Sequence, residues 1–521
     1  MPQSPTHQAI LLLSLCTHPH HLGPVHAHLV KTALSRTPTS IAKLLRFFYL
    51  YPNLDITYAL SIFHSVPNPT TFSLNTIIRA FTQSSNPIEA TKFYAQMHSN
   101  GIRPDTHTFP FVLKACALMR ELDLGRSIHC QAVTTGLSSD IFVQNTLIHM
   151  YSSSGSLVFA QKVFDGMDER DAVSYNAMIA CFVRTGGMDF ARKLFDEMPE
   201  RNVVSWGTVL AGYAQVGQSE EALELFDSML HSGFRPDNVA LVTALSACAQ
   251  LGALEKGKMV HDYVKRTDIR LDVYLATGLI DMYAKCGCIE SARAIFDASS
   301  ERNDATWNAM IVGLAMHGHG ELALEFFDKM QKAGVKPDGI TFVGVLTACT
   351  HAGLVNLGRT YFNTMEPKYE VVRELKHYGC MADLLGRAGL LDEIHDMIKH
   401  MPKKPDVFVW GGLLGGCRIH NNVKLAEIAV EHMLELDPDD SGIYSIMANI
   451  YASARQWDDV AKIRKRMYGK RVRKMAGFSL IEVGGCSHEF VAGDRLHPDI
   501  DEIYEVLDGM RKQLKGCWFF C

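Results

Sequence analysis

The chain has 521 residues, a formal net charge of −5 and 21% charged residues. This length suffices for a large core or for several domains. The mildly acidic balance excludes a global basic field that would attract nucleic acid by itself. The thirteen cysteines form neither a disulfide framework nor paired CxxC motifs, which is typical of a reducing compartment.

The N-terminal region, residues 1–37, contains no aspartate or glutamate but carries Lys31 and Arg36 among serines and threonines. This composition resembles an organellar transit segment. The same residues also overlap a degenerate repeat, and both interpretations stay open. The apolar run "AILLLSLC" is too short to cross a bilayer. The histidine cluster "HPHHLGPVHAH" has the spacing of no structural metal site.

One segment, residues 203–237, shows the unit from which most of the chain is built: "VVSWGTVLAGYAQVGQSEEALELFDSMLHSGFRPD". Apolar residues at helical spacing predict a first helix that ends before Gly217 and a second helix after it. Gly233 is placed to end the second helix, and Pro236 prevents its continuation. The unit is therefore a helical hairpin, which is too small to bury its own apolar face.

Related hairpins recur along the chain, and the residues that close them lie 31, 32, 35 or 36 positions apart. These closing residues are Asp105, Asp140, Asp171, Asn202, Asp237, Asp272, Asn303, Asp338, Glu374 and Asp406. Repeats of fixed length bury their apolar faces by stacking on their neighbours. We therefore expect an all-α fold: a right-handed α-solenoid (superhelix) of stacked helix-turn-helix repeats, whose first helices line one concave surface.

Cysteines and histidines recur at equivalent places in these hairpins. Cys116, Cys248 and Cys349 share one position, where a small core residue is expected rather than a metal ligand. His129 and His261 share another, which a phenylalanine occupies in a third unit. A position that accepts a phenyl ring favours packing or a local hydrogen bond, so no metal ligand is predicted there.

Units that open "VVSWGTVL" or "DATWNAMI" and close "GFRPD" or "GVKPD" resemble pentatricopeptide repeats. Tetratricopeptide repeats lack the terminal Pro-Asp and space their Trp, Gly and Tyr differently. The alternating lengths of the array 71–406 resemble the plant P-L-S arrangement, and a degenerate short repeat precedes it at 38–70. The standard units are 71–105, 203–237 and 304–338; the long units are 106–140, 238–272 and 339–374; the short units are 141–171, 172–202, 273–303 and 375–406.

The sequence changes character after Asp406. Residues 407–474 resemble the E-type helical extension of this subclass, and residues 475–521 resemble the E-plus segment with a truncated tail. Two departures from that pattern are Ala476-Gly477 in place of Pro-Gly and Leu480 in place of Trp. No His-x-Glu accompanies a CxxC motif, as a zinc deaminase requires, and Cys517 and Cys521 lack such partners. We therefore expect no catalysis, no metal and no cofactor in this polypeptide.

In the family that the chain resembles, the fifth and last residues of a repeat read one RNA base. Carried over unit by unit, the candidate RNA-binding pairs are Asn75 with Asp105, Asn145 with Asp171, Asn176 with Asn202, Gly207 with Asp237, Thr277 with Asn303, Asn308 with Asp338, and Gly379 with Asp406. The fifth residues of the long units, Pro110, Val242 and Val343, are expected to read little.

The resemblance implies a target close to 5′-U-?-U-C-G-?-A-U-?-G-3′, with both G positions weak. It also places the last short unit four nucleotides upstream of an edited cytidine. An alternative is that these Asn and Asp residues only cap helices, as such residues often do. Stacking between residues such as Phe72, Phe142, Val173 and Val204 would add affinity that tolerates any base.

The resemblance implies a protein that binds single-stranded organellar RNA and specifies sites of cytidine-to-uridine editing. It would recruit a DYW-type deaminase in trans, together with proteins of the multiple-organellar-editing-factor family. Neither a small-molecule substrate nor a membrane partner is implied. The mitochondrion is the expected location, with the chloroplast as the alternative. Two other functions stay open: transcript stabilisation, splicing or translation through RNA occupancy, and a peptide-binding helical-repeat scaffold.

Overall fold

The structure is a computed structural model of the chain, and it describes residues 19–32, 44, 56–64, 69–84, 86–470, 472, 477–483, 486–491 and 495–517. Most of the predicted transit segment, Ala476 and Cys521 lie outside the described residues. The chain divides into two compact units, Met1–Ala240 and Leu241–Cys521. Within the described ranges, no helix is both long and apolar enough to cross a membrane.

The first unit consists of α-helices preceded by a 3-10 turn at Pro19–His21. Its helices are α1 (Leu22–Lys31), α2 (Ile56–His64), α3 (Thr71–Gln83), α4 (Pro87–Ser99), α5 (Thr108–Met119), α6 (Leu122–Thr134), α7 (Ile141–Ser153), α8 (Leu157–Asp165), α9 (Ala172–Arg184), α10 (Met188–Asp196), α11 (Val203–Gln215) and α12 (Ser219–His231). Helix α13 (Asn238–Leu251) begins in this unit and ends in the second.

The second unit continues the helical pairs and ends with a small sheet and a last helix. Its helices are α14 (Leu254–Arg266), α15 (Val273–Lys285), α16 (Ile289–Ala298), α17 (Asp304–Met316), α18 (Gly320–Lys332), α19 (Gly339–Ala352), α20 (Val355–Tyr369), α21 (Leu375–Arg387), α22 (Leu391–Lys399), α23 (Val407–His420), α24 (Val423–Leu436), α25 (Ser441–Ser453), α26 (Trp457–Gly469) and α27 (Ile500–Cys517). The prediction of an all-α repeat fold is confirmed.

Within each unit the helices form two layers. The first helices of successive repeats pack side by side, as α3, α5, α7, α9 and α11 do in the first unit and α15, α17, α19, α21 and α23 do in the second. Each second helix packs against the first helix of its own repeat and against that of the next repeat, as α10 does against α9 and α11. The core is therefore continuous from repeat to repeat, as expected for hairpins that cannot bury their faces alone.

The repeat 203–237 shows why the hairpin forms. Asn202 caps α11 because its side-chain oxygen accepts a hydrogen bond from the backbone N–H of Ser205. Trp206 and Leu210 of α11 and Phe226 of α12 are buried between the two layers. Gly217 adopts a left-handed φ of 75°, which glycine reaches without strain, and it turns the chain from α11 into α12.

The extension after residue 406 adds two more helical hairpins, α23–α24 and α25–α26, to the second unit. Helices α21 and α23 approach so closely that a β-carbon at Gly412 would lie 2.9 Å from the backbone carbonyl carbon of Ala382. Strands β1 (Phe478–Val483) and β2 (Cys486–Val491) then form an antiparallel hairpin, with Phe478 opposite Val491. The sequence analysis did not predict these strands.

Candidate functional site

The predicted site lies on the first helices, which bring the second and fifth residues of each repeat to one side. Within each of the two units we call this side the first-helix face; it carries the second and fifth residues of that unit's repeats between 71 and 406. Two second residues, Phe72 and Phe142, keep 63% and 69% of their surface exposed, and Val173 and Val204 are also exposed. Large apolar side chains thus stand open on this face, as base stacking requires.

The fifth and last residues of the repeat 71–105 are in direct contact. The Asn75 side chain donates from Nδ2 to Oδ1 of Asp105 over 2.8 Å. The same Oδ1 accepts the backbone N–H of Thr108 at 2.9 Å and that of His107 at 3.0 Å. Asp105 therefore holds the start of α5 and the Asn75 amide with one oxygen.

The same contact recurs in two other predicted pairs. Asn145 Nδ2 donates to Asp171 Oδ1 over 3.1 Å, and Asn308 Nδ2 donates to Asp338 Oδ1 over 3.0 Å. Asp171 and Asp338 each accept the backbone N–H of the third residue of the following repeat. Within the described chain, the second carboxylate oxygens of Asp105, Asp171 and Asp338 accept no hydrogen bond.

The two pairs that end in asparagine use the same anchor. Asn176 Nδ2 lies 3.4 Å from Asn202 Oδ1, which also accepts from the backbone of Ser205. Asn303 Oδ1 accepts the backbone N–H of Thr306 at 2.9 Å. Thr277 contacts the Thr306 hydroxyl at 2.8 Å, and no direct bond joins it to Asn303 among the described contacts.

In the two glycine pairs no side-chain hydrogen bond links the fifth residue to the last, because glycine has no side chain. Asp237 and Asp406 still cap their following helices, because each Oδ1 accepts a backbone N–H of the next repeat. No heavy atom lies within 4 Å of a β-carbon built at Gly207. Neither Gly207 nor Gly379 has a side chain that can reach its aspartate, whereas a β-carbon at Gly379 would lie 3.6 Å from that of Phe408.

Capping and contact with the fifth residue therefore occur together. In every predicted pair Oδ1 of the last residue accepts a backbone N–H at the start of the next first helix. In four pairs it also bonds to the fifth residue. The sequence analysis treated these two roles as alternatives. The third residue of the following repeat was not among the predicted site residues, although in five cases it is a Ser or Thr three positions after an Asp or Asn, which is a recognisable capping pattern.

Hydrogen bonds keep the three paired aspartates ionised. Burial by itself raises the pKa of the Asp105 carboxyl, but hydrogen bonds from Asn75, Thr108 and His107 outweigh it and lower the pKa below its ordinary 3.8. The pKa values of Asp171 and Asp338 are lowered by the same balance of burial and hydrogen bonds. All three side chains are therefore carboxylates at neutral pH, with one oxygen left as an acceptor.

A cavity of about 320 Å³ opens at the first of these pairs. Its walls include Asn75 and Asp105, together with Phe72 and His107, the second residues of two consecutive repeats. The volume lies at the lower end of the range of small-ligand sites, about 300–1,000 Å³. A flat ring in this cavity would have Phe72 and His107 at its two faces. Asn75 and Asp105 would lie at its edge.

The first-helix face of the first unit also carries a cluster of cations. Lys114 and Arg184 are exposed on α5 and α9, and His149 lies on α7 between them. Burial lowers the pKa of His149, and the nearby charges of Arg184 and Lys114 lower it further. At neutral pH the cluster therefore presents the two permanent charges of Lys114 and Arg184.

The other candidates are structural, as predicted. Cys116, Cys248 and Cys349 are fully buried, and burial raises the pKa of the Cys116 thiol to about 12. His129 Nδ1 lies 2.8 Å from the hydroxyl of Tyr151, and His261 Nδ1 lies 2.9 Å from that of Tyr283. No group of three or more potential ligands in the described chain is arranged to hold a metal ion.

Comparisons with known families place the repeats and both C-terminal segments. The PPR repeat family matches residues 69–117, 201–250 and 302–351, and the PPR repeat matches 145–171, 173–203, 275–303 and 376–405. The E motif matches residues 420–482, and the E+ motif matches residues 488–513.

Similar proteins and structures agree with these matches. The chain is 53% identical to pentatricopeptide repeat-containing protein At5g61800 of Arabidopsis thaliana over 82% of its length and 87% of that protein. It is 47% identical to At5g66520 of the same plant, over 98% of its length and 82% of that protein. The crystal structure of the pentatricopeptide repeat protein PPR10 from maize shares the fold, with a TM-score of 0.50 and 17% identity over 91% of this chain and 89% of that chain. The chain therefore belongs to the plant pentatricopeptide repeat proteins, in the PLS-type subgroup that carries E and E+ motifs.

Proposed function

We propose that this protein binds single-stranded RNA and reads one base per repeat with the fifth and last residues of its repeats. One observation carries the proposal. In each predicted pair, Oδ1 of the last residue is held by the start of the next first helix. The other terminal atom of that side chain is therefore the one that remains for a ligand.

The remaining atom differs between the two residue types. In aspartate it is a carboxylate oxygen, which only accepts, whereas in asparagine it is an amide nitrogen, which only donates. Uracil presents an N–H at N3, while cytosine presents a bare nitrogen at N3 and adenine one at N1. A last-position aspartate thus suits uracil, and a last-position asparagine suits cytosine or adenine.

The fifth residue selects further. Asn75, Asn145 and Asn308 each donate one Nδ2 hydrogen to the paired aspartate and keep the second for a base carbonyl. Asn176 can do the same for cytosine, and the Thr277 hydroxyl oxygen can accept the adenine amino group. A wrong base leaves such groups unpaired, at a cost of about 1–3 kcal/mol for each group.

The test is RNA binding by fluorescence anisotropy with a ten-nucleotide oligonucleotide of the predicted sequence and its single-base variants. Substitutions opposite the five pairs with a polar side chain at both positions should weaken binding by about 5- to 150-fold, the equivalent of about 1–3 kcal/mol. Substitutions opposite the long repeats and the glycine pairs should be tolerated. Equal tolerance at all ten nucleotides would refute base reading by these pairs.

We further propose that the protein specifies sites of cytidine-to-uridine editing in an organelle and recruits a DYW-type deaminase and multiple-organellar-editing-factor proteins in trans. The E and E+ motifs support this, because a protein that acts only by occupying RNA needs no docking extension. Two relatives at 39% and 38% identity bear the names chloroplastic and chloroplastic/mitochondrial, which supports an organellar location.

Organellar RNA sequencing of a knockout tests this second step. Loss of editing at one or a few cytidines, four nucleotides beyond a sequence that fits the predicted target, is the expected result. Intact editing with altered transcript ends or abundance would favour action through RNA occupancy instead. Failure of RNA binding together with a tight protein partner on the first-helix face would favour a peptide-binding scaffold.

A further inference from the structure

The third residue of the following repeat differs among the five pairs that have a polar side chain at both the fifth and the last position. It is threonine after three of them, at Thr108, Thr306 and Thr341, and serine after two, at Ser174 and Ser205. All five side chains are buried, and all five backbone N–H groups bond to the last residue of the preceding repeat. Threonine and serine therefore make the same backbone contact at the start of the helix.

The two residue types differ in a second contact. The Thr108 hydroxyl lies 2.7 Å from Asn75 Oδ1, and the Thr341 hydroxyl lies 2.6 Å from Asn308 Oδ1. The Thr306 hydroxyl likewise lies 2.8 Å from that of Thr277. Each of these threonines therefore touches the fifth residue of the preceding repeat.

The serines make no such contact. The hydroxyls of Ser174 and Ser205 bond to the last residues, Asp171 and Asn202. The Oδ1 atoms of Asn145 and Asn176 are buried and have no hydrogen-bond partner. Where a threonine follows an asparagine pair, its hydroxyl lies within reach of both the amide oxygen and Oδ1 of the last residue and shares its single proton between them. Where serine follows, the amide oxygen has no partner.

A buried oxygen without a partner favours any rotation of the amide that returns it to water or to a ligand. Where threonine supplies the partner, one orientation is stabilised, with Nδ2 towards the last residue. The γ-methyl group restricts the threonine side chain to few rotamers, so its hydroxyl stays in place. The amide then presents a donor to the base, whereas the unsupported amide can turn and present its oxygen.

We propose that the third residue of a repeat is a positioning residue for the base-reading side chain of the preceding repeat, and that threonine there makes reading more selective than serine. This rests on the proposed function. The pairs Asn75–Asp105 and Asn145–Asp171 are the same residue types followed by Thr108 and Ser174. The repeat 71–105 therefore discriminates uracil from cytosine more strongly than the repeat 141–171 does.

The test measures the ratio of affinities for U and C at the two nucleotides that face these repeats, with the full chain and synthetic ten-nucleotide RNAs. In the wild type the ratio is about 5- to 10-fold larger opposite the repeat 71–105, which corresponds to about 1–1.4 kcal/mol. Thr108→Ser lowers the ratio at that nucleotide, and Ser174→Thr raises it at the other. Thr108→Val keeps the shape and the backbone cap but removes the hydroxyl, and it lowers the ratio as well.

Thr350→Ala is the control, because this buried hydroxyl bonds to the Leu346 carbonyl of its own helix and lies outside the base-reading positions. It lowers the midpoint of thermal unfolding and leaves the ratio opposite the repeat 141–171 unchanged. If the wild type prefers U at these nucleotides but Thr108→Ser and Ser174→Thr change stability alone, the positioning role is overturned. If the wild type shows no preference at either nucleotide, the proposed function itself fails.

Discussion

Replacement of Asp338 separates helix capping from base reading. The Asp338 Oδ1 atom accepts the backbone N–H of Thr341 at 2.8 Å, the hydroxyl of Thr341 at 2.9 Å and Nδ2 of Asn308 at 3.0 Å. Asp338→Ala removes all three acceptor contacts. Asp338→Asn keeps an oxygen in the anchored position, because asparagine caps helices about as well as aspartate.

The expected cost of Asp338→Ala follows from these contacts. Loss of an N-cap lowers the free energy of unfolding by about 0.5–2 kcal/mol. Asn308 is 96% buried, since only 4% of its surface is exposed, and its unpaired donor costs about 1–3 kcal/mol more. The sum is about 1.5–5 kcal/mol, whereas Asp338→Asn should cost less than about 1 kcal/mol. Urea unfolding of both variants measures the difference.

Asp338→Asn has little effect on stability but should change the base preference in RNA binding. Asp338→Asn exchanges an acceptor for a donor beside the base, so the preference at that nucleotide should move from U to C by about tenfold or more, equivalent to about 1.4 kcal/mol. The nucleotides facing other repeats should be unaffected. A folded Asp338→Asn variant that still prefers U would refute the argument that capping decides which atom faces the base.

Acid titration supplies a further check on the same residue. The pKa of Asp338 is lowered from 3.8 in the folded state, so its ionised form stabilises the fold above that value. This stabilisation is fully present at neutral pH and is lost as the pH falls below 3.8 through the lowered pKa. Asp338→Asn should therefore lose less stability in acid than the wild type does. An acid transition identical to that of the wild type would contradict this prediction.

Three further predictions concern other parts of the chain. Gly207→Asn should create a new preference for U, measured with single-base RNA variants, because the space around that position is open. Gly412→Ala should lower the free energy of unfolding by about 1–3 kcal/mol, since its β-carbon would meet the backbone of α21. Lys114→Gln with Arg184→Gln should weaken RNA binding and reduce the slope of log K against log salt by about 1.4.

The last two of these predictions have matched controls. Gly411→Ala lies one residue away on α23 with no atom within 4 Å, so it should stabilise by about 0.5–1 kcal/mol. If both alanine variants behaved alike in urea unfolding, the close approach of α21 and α23 would not matter for stability. Lys285→Gln on α15 removes a lysine already paired with Asp281, and an equal loss of salt dependence there would contradict a cation cluster that contacts phosphates.

Much of the fold could be predicted from the spacing of residues. The apolar pattern of 203–237, with glycines between and after its helices, predicts a hairpin that the structure contains as α11 and α12. Helical periodicity does not predict the hairpin β1–β2, because its two short runs of strand-forming residues carry no helical period. The Gly-Gly pair in the sequence between "FSLIEV" and "CSHEFV" is typical of a two-residue hairpin turn and could have predicted it.

The sequence by itself determined the repeat, its lengths and which residue types stand at the fifth and last positions, because these properties are local or periodic. Only the tertiary structure decided what those residues touch. Asn75 and Asp105 are 30 positions apart and meet because consecutive hairpins stack. The same packing sets Thr108 against Asn75 but leaves the Asn145 oxygen without a partner beside Ser174. Contacts of this kind depend on sub-ångström distances between packed helices, and neither periodicity nor propensity specifies such distances.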